Sequence, residues 1–444
     1  MGRGGRGLAV GIDSGGQVDI PDTYRQVERL VQAGRPVVFV SGNAGTGKTT
    51  LIRYLLEVLP LQSAVVAPTG VAALNAGGST IHSFFRLPPR LHDAGDVRLP
   101  RDRALYKKLQ LLIVDEVSML RCDLLDAIDH FLRRARENPH PFGGVQLMLI
   151  GDMFQLPPVV PRDEWEVLCA RGYADPYFFS ALALEALPMV HVELDRVFRQ
   201  TDPAFVGLLN KVRVAQDMDV VVEELNERCC LGDDTEPEMT LTCTNQAADT
   251  INAAAMAALD TEEHLLEGTL TGHFKLGSDR LPSPLELRLK VGAQVMFTKN
   301  DDQERWVNGS LGMVAAVSED LVRVRMLGDG ERVVHDVVPV SWESFEYRLD
   351  RTEDRIVAEK AGEYTQFPLT PAWAVTIHKS QGTTLDRVLI DFGRGAFAGG
   401  QAYVALSRCR SLRGVRLARP LRVTDVRCDP RIRRFYDENQ PGAD

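Results

Sequence analysis

Gly42-Asn43-Ala44-Gly45-Thr46-Gly47-Lys48-Thr49 lies between the apolar stretch Val37-Val38-Phe39-Val40 and the helical pattern Leu51-Ile52-Arg53-Tyr54-Leu55-Leu56. A G-x-x-x-x-G-K-T string between strand and helix is a phosphate-binding loop. Its glycines let successive backbone N–H groups turn inward, and the positive end of the following helix attracts negative charge. Lys48 is expected to reach the β and γ phosphates, and Thr49 to ligate Mg²⁺. Gly42, Ala44, Gly45, Thr46, Gly47, Lys48, Thr49 and Thr50 make up the expected nucleotide-binding loop. The implied ligand is a nucleoside triphosphate.

Outward from this loop, from about Tyr24 to Val160, strand patterns at Val37 to Val40, Ala64 to Ala67, Leu111 to Val114 and Leu147 to Ile150 alternate with helical ones. That alternation predicts a parallel sheet flanked by helices, an α/β domain over 21–188. Residues 86–104 turn Pro-, Arg- and Asp-rich without a period, a small excursion from that domain. Leu124, Leu125, Ile128, Phe131 and Leu132 share one helical face and read as core. A second α/β pattern starts near Val190, with strands at Val190 to Leu194, Met239 to Cys243, Val388 to Phe392 and Val415 to Leu417. It predicts a second domain over 189–299 and 368–444. The interruption, 300–367, shows short β alternation at Leu321 to Met326 and Val333 to Val338, with a helix pattern only in the acidic stretch after Ser341. It reads as an inserted all-β module.

A length of 444 residues allows about three domains. The hydrophobic content of 44% and charged content of 25% are those of globular proteins. No run of about 18 apolar residues occurs, and the Gly/Arg-rich start Met1 to Gly7 lacks the apolar stretch of a secretory signal. The expectation is a cytoplasmic protein, without membrane partners, that begins with a loose tail over 1–20. The seven cysteines are an odd set without Cys-x-x-Cys spacing, which points to neither disulfides nor zinc. A net charge of −10 excludes a protein that coats nucleic acid through bulk positive charge. A local groove of a few cations, backbone amides and rings remains open.

The strand Leu111 to Val114 ends in Asp115-Glu116, which sets two carboxylates at the carboxyl end of a buried strand beside the phosphate loop. Asp115 is expected to hold Mg²⁺, directly or through water, and Glu116 to orient and deprotonate the attacking water. Gly151-Asp152-Met153-Phe154-Gln155 follows another strand and places Gln155 to feel the γ-phosphate. Charge spreading over that phosphate calls for cations from outside the first domain, because hydrolysis must depend on cleft closure. Arg199 and Arg408 are the candidates; the alternative is that they are surface arginines.

Ala67-Pro68-Thr69-Gly70-Val71-Ala72-Ala73, Ser79-Thr80-Ile81-His82-Ser83-Phe84, Asp115-Glu116-Val117-Ser118-Met119 and Pro141-Phe142-Gly143-Gly144 leading to Gln155 carry a resemblance to the Pif (petite integration frequency) helicases, close to the RecD branch of superfamily one. Phe198-Arg199-Gln200, Thr376-Ile377-His378-Lys379-Ser380-Gln381-Gly382 and Tyr403-Val404-Ala405-Leu406-Ser407-Arg408 continue it in the family's order, over about Tyr24 to Leu421. The stretch Asp123 to Gly144 resembles the segment that separates these helicases from their RecD relatives.

The resemblance implies two RecA-like P-loop motor domains, with a wedge-like insertion in the first and an SH3-like barrel inserted in the second. It implies ATP and Mg²⁺ as cofactors and 5′-to-3′ unwinding of DNA in genome maintenance. The implied partners are single-stranded DNA and single-strand/duplex junctions, met by a monomer in solution that can pair on DNA. It assigns strand contacts to Pro68, Thr69, Gly70, His82, Phe84, Thr244, Asn245, His378 and Lys379, and a nucleotide contact to Gly382. His82 and Phe84 suit stacking or wedging against bases, with core packing the alternative for Phe84. Gln26 lies where these helicases carry an adenine-reading glutamine, with Gln32 as competitor. Trp306, Asn308 and Gly309 open the insertion, where a ring and exposed backbone suit DNA; Trp306 equally suits a core anchor. The rival readings are a RecD-like or relaxase-associated helicase and a nucleotide-switched binding protein that does not translocate.

Overall fold

The computed structural model describes residues 20–88, 90–92, 97–200, 202–230, 239–274, 281–303, 305–327, 333–350, 352 and 355–441. The expected tail before Ile20 and part of the 86–104 excursion lie outside these residues.

Among the described residues, the first sheet is built from β1 (Val37–Gly42), β2 (Ser63–Ala67), β3 (Ser79–Thr80), β4 (Leu111–Val114), β5 (Gln146–Gly151) and β6 (Met189–Leu194). It is parallel throughout, in the order β3-β2-β4-β5-β1-β6. The β1 and β4 strands are buried along their length, with apolar side chains at Val37 to Val40 and Leu111 to Val114, because helices cover both faces. Val38, Val40 and Ile113 point to the layer formed by α1 (Asp22–Gln32) and α2 (Lys48–Val58). Val37, Phe39, Leu112 and Val114 point the other way, onto Leu125, Ile128, Phe131 and Leu132 of α6 (Cys122–Arg136). The remaining helices of this half are α3 (Gly70–Ala76), α4 (Ile81–Phe84), α5 (Ala104–Lys108) and α7 (Arg162–Ala170).

β6 corrects one expectation. Read as the opening strand of the second domain, it instead pairs with β1 from Val37↔Met189 to Gly42↔Leu194 and closes the first sheet. Periodicity identifies a strand, whereas its sheet is chosen by Val192 and Leu194, which bury in the first core.

After β6 come α8 (Pro203–Arg213), α9 (Met218–Cys229), β7 (Met239–Thr242) and α10 (Asn245–Ala257). The second sheet joins β7 to β18 (Ala374–Thr376), β19 (Val388–Asp391) and β20 (Val415–Leu417), parallel in the order β18-β7-β19-β20. The short β18 was not expected. Helix α11 (Gln401–Leu406) packs within this domain, and α12 (Pro430–Glu438) does not. Ile432 and Phe435 of α12 enter the first domain's core, where Phe435 stacks on Phe179 with ring centroids 4.3 Å apart.

The insertion is all-β and antiparallel, and wider than 300–367. Its strands are β8 (Glu263–Glu267), β9 (Thr269–Gly272), β10 (Glu286–Lys290), β11 (Gln294–Phe297), β12 (Leu311–Val317), β13 (Val322–Met326), β14 (Val334–Val337), β15 (Val340–Asp350), β16 (Arg355–Gln366) and β17 (Leu369–Pro371). They form a sheet in the order β14-β13-β12-β11-β17, a β10-β8 pair and a β15-β16-β9 ribbon. The acidic stretch after Ser341 is strand β15, not helix. Its charges sit on the exposed ribbon, where Lys360 reaches both Glu343 and Glu363. The ribbon docks on the first domain: the Tyr347 hydroxyl accepts from the Val65 N–H at 2.9 Å, and the Ile356 N–H donates to Gln62 Oε1 at 2.6 Å.

Candidate active site

The carboxyl end of β1 runs into the phosphate loop, and α2 begins at Lys48. Gly45 and Gly47 both have φ of +84°. A Cβ at Gly45 would stand 2.5 Å from the Arg199 Cβ, and one at Gly47 2.5 Å from the Tyr24 hydroxyl. Glycine is therefore required here by both backbone conformation and close approach. The Lys48 ammonium donates to the carbonyls of Gly42 (2.8 Å) and Asn43 (2.9 Å). Burial lowers its pKa, opposed by the carboxylates of Asp152, Glu116 and Asp115.

A cleft of about 560 Å³ opens over this loop. The first domain lines it with Ala44, Gly45, Thr46, Gly47, Lys48, Thr49, Thr50, Glu116 and Gln155. Phe198 and Arg199 come from the crossing segment, and Gly382, Thr384, Arg408 and Arg410 from the second domain. Gly42 contributes from behind, through its carbonyl. Neither Gln26 nor Gln32 lines the cleft. Pro21 and Tyr24 present the α1 end to it, and Gln32 is exposed and bonded to Glu28.

Glu116 adopts the left-handed region, φ 51°, which is uncommon for a side-chain-bearing residue and typical of functional turns. Behind it, the buried Asp115 accepts the Glu116 N–H at 2.9 Å. Burial, then the Glu116 charge, pushes the Asp115 carboxyl up to about 7. A carboxylate, with the Thr49 hydroxyl among the cleft-lining groups, is the hard-oxygen chemistry Mg²⁺ takes, so these residue types fit that ion.

Arg408 is inside the molecule and Arg199 is half-buried in the cleft wall, so neither is an open surface arginine. Arg408 is 1% exposed, with Nε donating to the Val404 carbonyl (2.9 Å), Nη1 to the Ser380 carbonyl (3.2 Å) and Nη2 to Ser407 Oγ (3.0 Å). Burial, then the like charge of Arg199, draws its pKa down to about 9. Arg199 donates to the Ser407 carbonyl at 3.4 Å, while the neighbouring Phe198 N–H bonds the Gly45 carbonyl at 2.9 Å. Two guanidiniums held together at a cleft favour a polyanion between them.

Two contributors escaped the reading of the residues. The Gln381 side chain donates to Glu116 Oε2 (3.1 Å) and Gln155 Oε1 (3.2 Å), joining the two first-domain groups from the second domain. Its place immediately before Gly382 was the available signal. The Tyr403 hydroxyl accepts the Ala44 N–H of the phosphate loop at 3.1 Å. Its partner is 359 residues away, so no local pattern shows it.

The expected strand contacts fall at the carboxyl ends of both sheets. Pro68, Thr69 and Gly70 follow β2, and His82 follows the neighbouring β3. Thr244 and Asn245 follow β7, and His378 and Lys379 follow the neighbouring β18. Thr69 and Thr244 occupy the same role, each capping a helix by accepting an N–H three residues on, from Ala72 (3.2 Å) and Ala247 (3.3 Å). Asn308 is half-buried, its N–H on Asn300 Oδ1 at 2.7 Å. Two rings belong to cores. Phe84 is 6% exposed and meets Phe85, Tyr106 and Tyr347 edge-on, so base stacking by it is ruled out in this arrangement. Trp306 stacks on Phe297 at 4.4 Å within the insertion's core.

Comparison with known proteins bears on this geometry. A family model described as PIF1-like helicase matches residues 19–202. The human protein named ATP-dependent DNA helicase PIF1 is 36% identical over 448 residues, covering 95% of this chain and 65% of the human one. The chain thus spans just under two thirds of that relative's length. The Bdellovibrio bacteriovorus protein named ATP-dependent DNA helicase Pif1 is 34% identical over 443 residues, covering 98% and 95%. Bacteroides sp Pif1 in complex with ADP-AlF4 superposes with a TM-score of 0.85 at 36% identity, covering 96% of this chain and 98% of that one. The same protein with ADP-AlF3 and ssDNA gives 0.67, covering 96% and 99%. With an α/β fold of two parallel sheets and an all-β insertion, the chain belongs to the PIF1-like helicase family.

Proposed function

We propose that this protein is an ATP-dependent DNA helicase that moves 5′-to-3′ on single-stranded DNA and opens duplexes at junctions. The observation that carries the reading is the divided cleft: phosphate loop and Glu116 on one side, Gly382, Arg408 and Arg410 on the other. Lys48 and the loop amides hold the phosphates, and Glu116 orients water and takes its proton. Arg199 and Arg408 offset charge that grows on the γ-phosphate when the cleft closes. Thr49 and Asp115 would hold Mg²⁺, which would supply charge neutralisation at the phosphates. Grips at Thr69 and Thr244, one on each sheet, then change separation with every closure.

Relatives that carry the helicase name, one of them solved with a nucleotide analogue and ssDNA, support this reading. Among the described residues no helix is long and apolar enough to cross a membrane. We place the protein in the cytoplasm, a monomer in solution acting in DNA repair and recombination. The test is ATP turnover with and without single-stranded DNA, followed by displacement of duplexes tailed at the 5′ or 3′ side. DNA-accelerated turnover with displacement of the 5′-tailed substrate alone is expected. Turnover indifferent to DNA, or DNA binding switched by nucleotide without displacement, identifies a nucleotide-switched binding protein instead.

A further inference from the structure

Asp152, the first residue after β5, is completely buried. Its Oδ1 accepts from the Phe154 N–H (3.2 Å) and from Arg213 Nε (3.1 Å), and its Oδ2 from Gln155 Nε2 (3.4 Å). A carboxylate so placed needs its cation, and losing either partner leaves an uncompensated charge. Arg213 is the last residue of α8, the first helix after the chain leaves the first domain. The apolar face of α8, Phe205, Leu208, Leu209 and Val212, belongs to the second domain's core. The guanidinium lies 4.5 Å from the Phe154 ring centroid and 5.7 Å from that of Tyr436, and these rings stack on each other at 4.9 Å. Arg213 thus reaches from the second domain into the first and is held in one orientation there.

The other end of the same loop is also gripped from the second domain, by Gln381 on Gln155 Oε1. Arg213, Asp152, Gln155, Gln381 and Glu116 form a continuous hydrogen-bonded path from α8 to the cleft carboxylate. We infer that Arg213 is a positioning residue which, through Asp152, sets Gln155 in the cleft according to the position of the second domain. The inference rests on the ATP-hydrolysis reading above. Arginine suits the task because its planar fork fixes direction as well as charge, which an ammonium does not.

The test is steady-state ATP turnover with saturating oligothymidylate, alongside fluorescent-nucleotide affinity. It uses the parental protein, Arg213→Ala, Arg213→Lys, Gln155→Ala and the Arg213→Ala/Gln155→Ala double variant. Arg213→Ala is expected to lower DNA-stimulated kcat about tenfold while nucleotide affinity stays within about threefold, and to add nothing further in the Gln155→Ala background. Arg213→Lys restores part of the loss, because the charge on Asp152 remains. Parental kcat in Arg213→Ala, or losses that multiply in the double variant, overturns the inference and leaves Arg213 a structural ion pair. Should Arg213→Ala fail to fold, Arg213→Lys alone and in the Gln155→Ala background gives the same cycle. A parental protein without DNA-stimulated turnover overturns the helicase reading, and this inference with it. DNA-stimulated parental turnover with an indifferent Arg213 overturns this inference alone.

Discussion

The two sides of the cleft are made in opposite ways. The first domain supplies its half as one unbroken run, Ala44 to Thr50, shaped by its own backbone and completed by Glu116 and Gln155. The second supplies Gly382, Thr384, Arg408 and Arg410 from separate segments, and the crossing segment adds Arg199. Lys48 is held by the carbonyls of its own loop, whereas Arg408 is held by carbonyls of its own domain and depends on that domain's placement to meet a phosphate. A side whose geometry is local serves binding in any state. On the proposed function, a side whose geometry depends on closure acts on the transition state.

Breaking the local side should have the largest effect. Lys48→Ala is expected to abolish ATP turnover while the thermal melt stays near parental, since an ammonium over a cleft is not a packing group. Parental turnover in that variant breaks the comparison at its root. On the distant side, Arg199→Ala should lower kcat ~10³-fold with a smaller loss of nucleotide affinity, measured by turnover and fluorescent-nucleotide titration. Equal losses would make it a ground-state contact like those of the loop. Arg408→Ala should match the kcat loss and also cost about 1–3 kcal/mol of stability in denaturant melts, because the guanidinium's hydrogen bonds to the Val404 and Ser380 carbonyls and to Ser407 Oγ are lost.

Glu116→Gln sharpens the division within the first domain. It should keep nucleotide binding and lose about 10²-fold or more in kcat, since the amide holds shape but takes no proton. Smaller is the effect of Tyr347→Phe, which removes the hydroxyl that caps Val65 and so loosens the insertion's ribbon from the first sheet. About 1 kcal/mol of stability should be lost, with kcat in the absence of DNA unchanged. The smallest effect concerns acid. His191, bonded to Ser41 (2.7 Å) and to the Asn439 carbonyl, ties β6 to the C-terminal segment, and burial lowers its imidazole pKa. The unfolded chain then binds a proton that the folded one resists. This contribution is complete above about pH 6.5 and is lost as pH falls through the folded value. The thermal midpoint should decline on acidification below about pH 6.5, and less steeply in His191→Gln.

The residues themselves carried the phosphate loop, the Asp115-Glu116 strand end, strands β1, β2, β4 and β5 of the first sheet and the all-β character of the insertion. Each of these is a short-range property: a glycine at positive φ, a two-residue alternation, a strand running into a helix N-terminus. They are legible because the physical cause lies within a few residues of the effect. What came from packing alone has its cause far along the chain. Val190 to Leu194 reads as the opening strand of the second domain, yet Val192 and Leu194 bury in the first core, and α12 crosses back because Ile432 and Phe435 bury there. Phe84 and Trp306 could serve a base or a core equally until Tyr347 and Phe297 close over them. Gln381 meets Glu116 across 265 positions, and Tyr403 meets Ala44 across 359, contacts that no periodicity encodes because they exist only where two separately folded sheets face each other.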